Sequence, residues 1–272
     1  MARDSGEAVT DRVIDAGGAP LARLRAGDGP VLAIALHAGH ALRPDLVEHL
    51  ALVDDERLRE EDPFTAQMAP DAIPLVEALR SRFEVDLNRP RFRCVYQGPH
   101  DSWGLHVYSH ELPDAVDRVS RAVYDTFYAA IFDEIARALE THERLVVLDL
   151  HSYNHRRDGA GAKPADPARN PEINLGTQHI DRVRWAPVVD AFTETMTGAG
   201  YQVGENVKFG GGHLAHWLVE QFGDCVCPLA IEFKKTYMDE WSGEPDAAAI
   251  ARAKDALTAS VGRLTAALVD VG

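Results

Sequence analysis

The chain has 272 residues, of which 46% are hydrophobic, so it is long enough to bury a large core. Its formal net charge of -15 argues against a nucleic-acid-binding surface, and no cluster of Lys and Arg contradicts this. No run of about 18 apolar residues is present, so we expect no transmembrane helix and no membrane partner.

The three cysteines are an odd number, and two of them lie in an apolar, strand-like run: Cys94, Cys225 and Cys227. This usage is typical of reduced core residues in a cytosolic protein, with a Cys-x-Cys metal site as the alternative. The first seven residues lack the apolar core of a signal peptide. We therefore expect a cytoplasmic protein.

The chain begins with two predicted edge strands, near Ala8–Val13 and Leu21–Ala26. Residues 31–36 are then aliphatic without interruption, which is typical of a strand buried on both faces of a parallel sheet. This strand ends at His37. Pro44 follows and predicts the start of a helix over residues 44–50.

An acidic segment covers residues 54–62, and we expect most of it to be a solvated helix or loop surface. Asp62 differs from the other acids because Pro63 biases it towards an extended conformation. A carboxylate at such a break can point inwards at a metal ion.

A short helix is predicted over residues 72–79. The alternation of Phe83, Val85 and Leu87 with polar residues then predicts a half-buried strand that ends at Asn88 and Arg89. The guanidinium of Arg suits a carboxylate, and Asn adds a second donor. The alternative is a surface arginine paired with one of the many acids.

The clearest helix covers residues 114–138, because its apolar residues recur at helical spacing. Residues 145–150 form the second uninterrupted aliphatic run, and this strand delivers His151. In open α/β sheets, sites lie beyond the carboxyl ends of the strands. The two strand-end histidines therefore predict two ligands of one metal ion.

Residues 154–172 predict a lid or binding loop, because they are rich in Gly, Pro and charge and directly follow the strand that delivers His151. The glycine turn at residues 209–213 has two explanations, close approach of the backbone to a ligand or a plain turn before a helix. The last buried strand ends at Glu232. The other predicted elements are strands at 173–177 and 201–203 and helices at 187–197, 214–221 and 246–269.

Strands that alternate with helices predict an α/β protein, a three-layer sandwich around a mixed, mostly parallel sheet, in a single domain over residues 1–272. The strand-end groups then gather at one edge of this sheet. A catalytic zinc needs about three protein ligands and an open position for water. Asp62 suits the role of third ligand beside His37 and His151, and Glu232 suits the role of general base.

These residues resemble the N-formylglutamate amidohydrolase family of the zinc carboxypeptidase and aspartoacylase clan. The resemblance covers about residues 31–240, and its Asp-Leu-Asn-Arg and Tyr-Met-Asp-Glu stretches are the most specific. The matching stretches are His37-Ala38-Gly39, Asp62, Arg82 with Asp86-Leu87-Asn88-Arg89, Asp149-Leu150-His151-Ser152, Asn174-Leu175-Gly176-Thr177, Phe209-Gly210-Gly211, and Glu232 with Tyr237-Met238-Asp239-Glu240.

The resemblance implies a zinc-exopeptidase-like fold that holds one zinc ion. It implies ligation by His37, His151 and an acid near Asp62, with Glu232 as general base. Three residues are implied as receivers of a substrate carboxylate: Arg82, Asn88 and Arg89.

The chain also departs from the family pattern. The His-x-x-Glu pair of carboxypeptidases is missing, since His40 stands three residues after His37, and Glu61 remains an alternative to Asp62. Lys234-Lys235 stand where the family tends to have an arginine. Residues 98–110 and the loop that carries Arg156-Arg157 do not match. Arg157 and Lys234 are the open alternatives for binding a second carboxylate.

The resemblance therefore predicts a zinc-dependent amidohydrolase that cleaves the N-acyl amide of an acidic amino acid, with N-formyl-L-glutamate as the leading candidate. The expected partner is a small anionic N-acyl amino acid. The alternatives are a deacylase or carboxypeptidase-like peptidase of the same clan, or a non-catalytic binding protein on the same fold. The presence of both histidines and Glu232 argues against the last.

Overall fold

A computed structural model of the protein describes residues 11–272, and an eight-stranded sheet runs through its centre. In chain order the strands are β1 (Arg12–Ala16), β2 (Ala19–Arg25), β3 (Val31–Ala35), β4 (Leu75–Ala78), β5 (Leu145–Tyr153), β6 (Ile173–Gly176), β7 (Val203–Glu205) and β8 (Val226–Lys234). Their order in the sheet is β1-β2-β4-β3-β5-β8-β6-β7. The central strands β4, β3, β5 and β8 are parallel, as are β6 and β7, and the remaining pairings are antiparallel.

Helices cover both faces of this sheet. They are α1 (Pro44–Val47), α2 (Asp54–Glu60), α3 (Thr65–Met68), α4 (Asp114–Leu139), α5 (Ala186–Gly198), α6 (His213–Phe222) and α7 (Ala247–Ala267). Helices α3, α5 and α7 pack on one face, and α4 and α6 pack on the other. The predicted fold class, a mixed and mostly parallel sheet between helical layers, is confirmed. Among residues 11–272, none of the helices is both long and apolar enough to cross a membrane.

Strand β3 illustrates why the central strands are aliphatic along their whole length. Val31, Ala33 and Ala35 belong to the core beneath α5 and α7. Leu32 and Ile34 belong to the core beneath α4 and α6. Because successive side chains of a strand point to opposite faces, a strand between two helical layers needs apolar residues at every position.

Two predicted elements between residues 72 and 88 are wrong. Residues 72–79 contain strand β4 instead of a helix, because Leu75–Ala78 pair with β2 on one side and β3 on the other. The predicted strand at residues 83–87 is a series of turns. Its polar residues are not on a solvated face: Glu84 and Asp86 are both fully buried, where they pair with Arg80 and Arg82.

The acidic segment is solvated only at its beginning. Asp54 and Asp55 are exposed on α2, whereas Glu60, Glu61 and Asp62 are buried. The backbone N–H of Asp62 donates to the carbonyl of His37 at 2.9 Å, so the end of this segment is joined to the end of β3. The predicted first edge strand lies partly outside the described residues, and β1 begins at Arg12.

Gly39, two residues after His37, lies against the backbone that follows β4. A Cβ atom at this position would be 2.2 Å from the carbonyl carbon of Leu79 and 2.5 Å from the nitrogen of Arg80. Since backbone atoms cannot give way as a flexible side chain can, the glycine permits the close contact that fixes the path of the chain after His37.

We expect Gly39→Ala to lower the free energy of unfolding by about 1–3 kcal/mol or more, because the added methyl group overpacks a rigid contact. Chemical denaturation measures the effect. The matched control is Gly262→Ala in α7, where a Cβ would meet no atom within 4 Å and where alanine should stabilise the helix by about 0.5–1 kcal/mol. A Gly39→Ala variant as stable as the wild type would contradict this contact.

Candidate active site

Two histidines meet at the carboxyl ends of neighbouring strands. His37 directly follows Leu36 at the end of β3, and His151 lies near the end of β5, which is the parallel neighbour of β3. Their ring centroids are 5.2 Å apart, and both side chains are buried. The sheet therefore brings together two residues that are separated by more than a hundred positions in the sequence.

Asp62 completes a group of three with these histidines. Its Oδ2 atom lies 3.0 Å from Nδ1 of His151 and 3.4 Å from Nδ1 of His37. Within residues 11–272, this is the group of His, Cys, Asp and Glu side chains whose ligand atoms could hold a metal ion, since these atoms all lie within 4.8 Å of one another. The predicted ligands His37, Asp62 and His151 are thus in one place.

The outer nitrogens of both imidazoles face a further carboxylate. Nε2 of His37 donates to Oδ1 of Asp86 at 2.8 Å, and Nε2 of His151 lies 2.9 Å from Oδ1 of Asp149. A carboxylate can only accept, so Asp86 requires the proton on Nε2 of His37. In the neutral ring, this leaves the lone pair of Nδ1 directed at Asp62. Such carboxylate–histidine pairs are typical of metal-ligating imidazoles.

The donor set fits a divalent metal ion. Nδ1 of His37 is buried and has no hydrogen-bond partner among the described residues. Two imidazole nitrogens and one carboxylate are a ligand set that zinc uses in hydrolases. Burial alone would lower the pKa of His151, yet the carboxylates of Asp149 and Asp62 raise this pKa well above its usual value. The negative charge of these carboxylates favours a proton on His151, and it favours a metal cation for the same reason.

Asp62 is strongly acidic despite its burial. Removal from water would raise its pKa, but the hydrogen bond with His151 and the nearby ring of His37 hold the pKa well below its usual range. Its second oxygen, Oδ1, accepts from the hydroxyl of Ser152 at 2.9 Å. The carboxylate is therefore ionised, as a metal ligand must be.

Glu61, the alternative ligand, points elsewhere. Its carboxylate accepts from His40 Nδ1 at 2.5 Å and from the hydroxyl of Ser81, and it lies 3.6 Å from Arg57. The structure therefore brings Asp62, and not Glu61, to the two histidines. The two adjacent acids point in different directions because the chain is extended at Glu61, directly after α2.

Asp86 is the centre of the network behind His37. It accepts hydrogen bonds from Nη2 of Arg82 at 2.9 Å, Nε of Arg89 at 3.1 Å and the hydroxyl of Tyr96 at 2.5 Å. Burial would raise the pKa of Asp86, but Arg82 and His37 hold this pKa well below the usual value. The buried carboxylate therefore keeps its negative charge behind the imidazole.

Glu232 lies beside His151 on the adjacent strand β8, where the two residues are paired in the parallel register. Its side chain is half-buried and lines the cavity next to the metal-ligand group. Burial raises the pKa of this carboxyl to about 8, even though the neighbouring His151 lowers it. A carboxyl with a pKa near neutrality can both take and return a proton.

The candidate site opens into a cavity of about 210 Å³. Its wall includes the three metal-ligand candidates, Glu232 and several cationic and aromatic side chains from loops. Besides these four residues the lining consists of Glu60, Arg82, Asn88, Trp103, Ser152, Tyr153, Asn154, Arg157, Phe209, Gly211, Gly212 and Lys235.

Of the predicted substrate-binding residues, Arg82 and Asn88 line this cavity and Arg89 does not. The guanidinium of Arg89 donates to Asp86 and to the carbonyl of Asp101. Asn88 accepts from the backbone N–H of Leu214 at 3.0 Å, so its amide is fixed against the start of α6. The contact of Arg89 with a substrate stays a prediction.

The glycine turn before α6 allows this wall to form. A Cβ atom on Gly212 would be 2.2 Å from the side-chain nitrogen of Asn88. The glycine therefore lets the turn pack directly on the asparagine amide, and both residues border the cavity. Sequence reasoning left close approach of the backbone to a ligand and a plain turn open; the structure shows close approach to the side chain of Asn88, and approach to a ligand stays a prediction.

Two acidic residues that follow β8, Asp239 and Glu240, accept hydrogen bonds from the beginning of the loop at residues 154–172. The carboxylate of Glu240 accepts from the backbone N–H groups of His155 at 2.8 Å and Arg156 at 2.5 Å. Asp239 accepts from the guanidinium of Arg156 at 2.7 Å. The Tyr-Met-Asp-Glu stretch therefore fixes the beginning of the loop that carries Arg157.

Lys235, directly after β8, supports the segment before Asp62. Its buried Nζ donates to the carbonyls of Arg59 at 2.5 Å and Glu61 at 2.6 Å. Burial lowers the pKa of this amine, while the charge of Asp62 raises it. The lysine thus connects the end of β8 to the C-terminal end of α2.

Sequence reasoning did not assign roles to Asp86, Asp149 or Trp103. Asp149 could have been found, because it precedes His151 by two residues in one strand and so faces the same side. Asp86 opens the Asp-Leu-Asn-Arg stretch, but its burial was hidden by the alternation with apolar residues. Trp103 lies in a loop without a periodic pattern.

Comparison with known proteins gives one family and several related structures, two of which follow. A model of the family described as N-formylglutamate amidohydrolase matches residues 29–238. The crystal structure of N-formylglutamate amidohydrolase from Ralstonia eutropha JMP134 is 18% identical, with a TM-score of 0.71 over 92% of this chain and 98% of that chain. A gene product from Agrobacterium tumefaciens is also 18% identical, with a TM-score of 0.64 over 89% of this chain and 95% of that chain. No curated protein matches the sequence.

We expect Asp149→Asn to weaken metal binding by about 10- to 100-fold, because the amide keeps the shape of the carboxylate but removes the charge that orients and polarises His151. Competition with a chromophoric chelator measures the affinity. The control is Asp125→Asn, which changes an exposed carboxylate that is paired with Arg91. Equal metal affinity in Asp149→Asn and the wild type would remove this role.

Proposed function

The chain belongs to the N-formylglutamate amidohydrolase family, as the resemblance predicted, and on this premise we propose a zinc-dependent amidohydrolase that cleaves the N-acyl amide of an acidic amino acid. N-formyl-L-glutamate is the leading substrate. The observation that carries the proposal is the group His37, Asp62 and His151 in one cavity with Glu232.

His37, Asp62 and His151 would hold the metal ion, and the carboxylates of Asp86 and Asp149 would keep the two imidazoles in place. A divalent ion in such a site supplies Lewis-acid activation of water and of the amide carbonyl. The burial of all three ligand side chains supports this role, because buried carboxylates and imidazoles need a partner for their charge and lone pairs.

Glu232 is the general base in this proposal. It would take the proton of the attacking water and then pass this proton to the nitrogen of the leaving amine, so that it is regenerated in each turnover. Its position on the strand next to His151 and its raised pKa of about 8 support the assignment. No other carboxylate of the cavity wall combines both features, since Asp62 is strongly acidic and Glu60 is paired with Arg157.

Local cations are needed to bind an anionic substrate, because the chain as a whole carries a net charge of -15. Arg82 lines the cavity and uses three of its N–H groups for the hydroxyl of Tyr96, the carbonyl of Glu60 and the carboxylate of Asp86. The guanidinium has further donors for a substrate carboxylate. Asn88 can add its amide on the same wall.

We expect the purified enzyme to contain one zinc ion per chain and to hydrolyse N-formyl-L-glutamate in preference to neutral N-acyl amino acids. Elemental analysis and a metal-supplemented screen of N-formyl, N-acetyl and peptide substrates test this. His37→Ala and His151→Ala should lose metal and activity, whereas His100→Ala, a change at an exposed side chain, should lose neither. Full activity in metal-free His37→Ala and His151→Ala protein would refute the metal site, and a wild type without activity on any N-acyl acidic amino acid would refute the substrate.

Glu232→Gln should retain the metal and lose about 100-fold or more in turnover, because the amide cannot take up the proton. Metal content and kcat are measured on the same preparation. Glu220→Gln, at an exposed glutamate of α6, is the control. If Glu232→Gln instead loses the metal, Glu232 is a ligand and its assignment as base is wrong.

A further inference from the structure

We infer that Arg157 and Trp103 form a specificity subsite that binds an anionic group at the end of the substrate distant from the scissile amide. Arg157 is the residue that contacts the anion, and Trp103 is the positioning residue beside it. The inference rests on the proposed function for the identity of the reaction, but the subsite itself follows from the cavity wall.

Trp103 is held in an unfavourable backbone conformation. Its φ angle is +54°, in the left-handed region that costs free energy for any residue with a Cβ. The surrounding turn enforces this conformation, since Gly104 N–H donates to the carbonyl of Pro99 and the Ser102 hydroxyl donates to that of Leu105, both at 2.8 Å. The indole nevertheless stays 49% exposed at the cavity. Strain that presents a large aromatic group to a cavity indicates a role in binding.

The indole lies close to two guanidinium groups. The central carbon of Arg82 is 4.7 Å from the ring centroid of Trp103, and that of Arg157 is 6.0 Å from it. Both arginines line the same cavity. A cation over an aromatic face is attracted by the negative face of the ring, so the indole can keep two like charges near each other.

Each of the two arginines is paired with a carboxylate, but they differ in exposure and in the number of N–H groups that are already engaged. Arg82 is mostly buried and forms a 2.9 Å ion pair with the fully buried Asp86. Arg157 is 49% exposed, and in the described part of the chain its guanidinium donates hydrogen bonds to Glu60 alone, at 3.1 and 3.3 Å. Its remaining N–H groups can meet a carboxylate that enters the cavity.

Lys234 and Lys235 are less suitable than Arg157 for contacting the anionic group. Lys234 is not part of the wall, and its Nζ donates to the carbonyl of Asn170 at 3.1 Å. Lys235 lies on the wall, but its Nζ is engaged by the carbonyls that precede Asp62. Of the two alternatives that the sequence left open for a second carboxylate, the geometry therefore favours Arg157.

The test compares ligands that differ only in the charge at their distant end. L-glutamate and L-glutamine bind as product-type ligands to the metal-loaded protein and are measured by calorimetry, and the N-formyl derivatives of both are measured by KM and kcat. Arg157→Gln should weaken binding of L-glutamate and raise KM for its derivative by about 10-fold, as expected for the loss of one charge-assisted contact. L-glutamine and its derivative should change by less than about twofold, and Arg157→Lys should recover part of the loss.

The matched control is Arg156→Gln, which removes the neighbouring arginine whose guanidinium donates to Asp239. Equal effects of Arg157→Gln and Arg156→Gln, or equal losses with the charged and the neutral ligand, would overturn the inference. Charge-selective binding that depends on Arg157 in a wild-type protein without hydrolytic activity would support the subsite and refute the proposed function. Failure of the subsite inference can therefore be distinguished from failure of the proposed function.

Trp103→Gly tests the positioning role separately from stability. Glycine adopts a φ of +54° without strain, which offsets part of the packing that is lost with the indole, and chemical denaturation measures the net change in stability. The affinity of the variant for L-glutamate should fall several-fold, with a smaller change for L-glutamine. A variant that keeps the full charge selectivity of the wild type would show that the indole does not support Arg157.

Discussion

The candidate site depends on two buried carboxylates that contact the outer nitrogens of the two histidines. Asp86 fixes the ring of His37 from one side, and Asp149 lies against the ring of His151 from the other. Both imidazoles therefore direct Nδ1 towards Asp62. Without these contacts, each ring could turn about its side-chain bonds, and the three candidate ligand atoms would no longer lie close enough together to bind one metal ion. Arg82, which forms an ion pair with Asp86 and lines the cavity, extends this constraint into the cavity wall.

The same network explains how distant segments of the chain are held together at the site. The end of α2 is joined to β3 through the backbone bond from Asp62 to His37, and to β8 through Lys235. Glu240 in turn holds the first residues of the loop that carries Arg157. Each connection satisfies a buried donor or acceptor, so the polar groups that shape the cavity are also the groups that the surrounding fold must pair.

Continuous apolar runs predicted the three central strands and the residues at their ends, because burial on both faces leaves a simple signature at β3, β5 and β8. The pattern failed at residues 83–87, where Glu84 and Asp86 are polar but buried beside arginines, so that alternation did not indicate a solvated face. The choice between Glu61 and Asp62 required the direction of each side chain, which contacts with β5 and with His40 determine. Trp103 and Arg157 come from loops, whose conformation has no periodic trace in the sequence.

The order of the strands has a consequence for synthesis of the protein on the ribosome. The chain emerges from its N-terminus, so β3 and β5 are available to pair long before β8, which adds to the free edge of β5. A nascent chain can thus bring both histidines together while it still lacks Glu232. In the proposed function, the base Glu232 therefore joins these histidines only after β8 and the Glu240 that holds the neighbouring loop have left the exit tunnel.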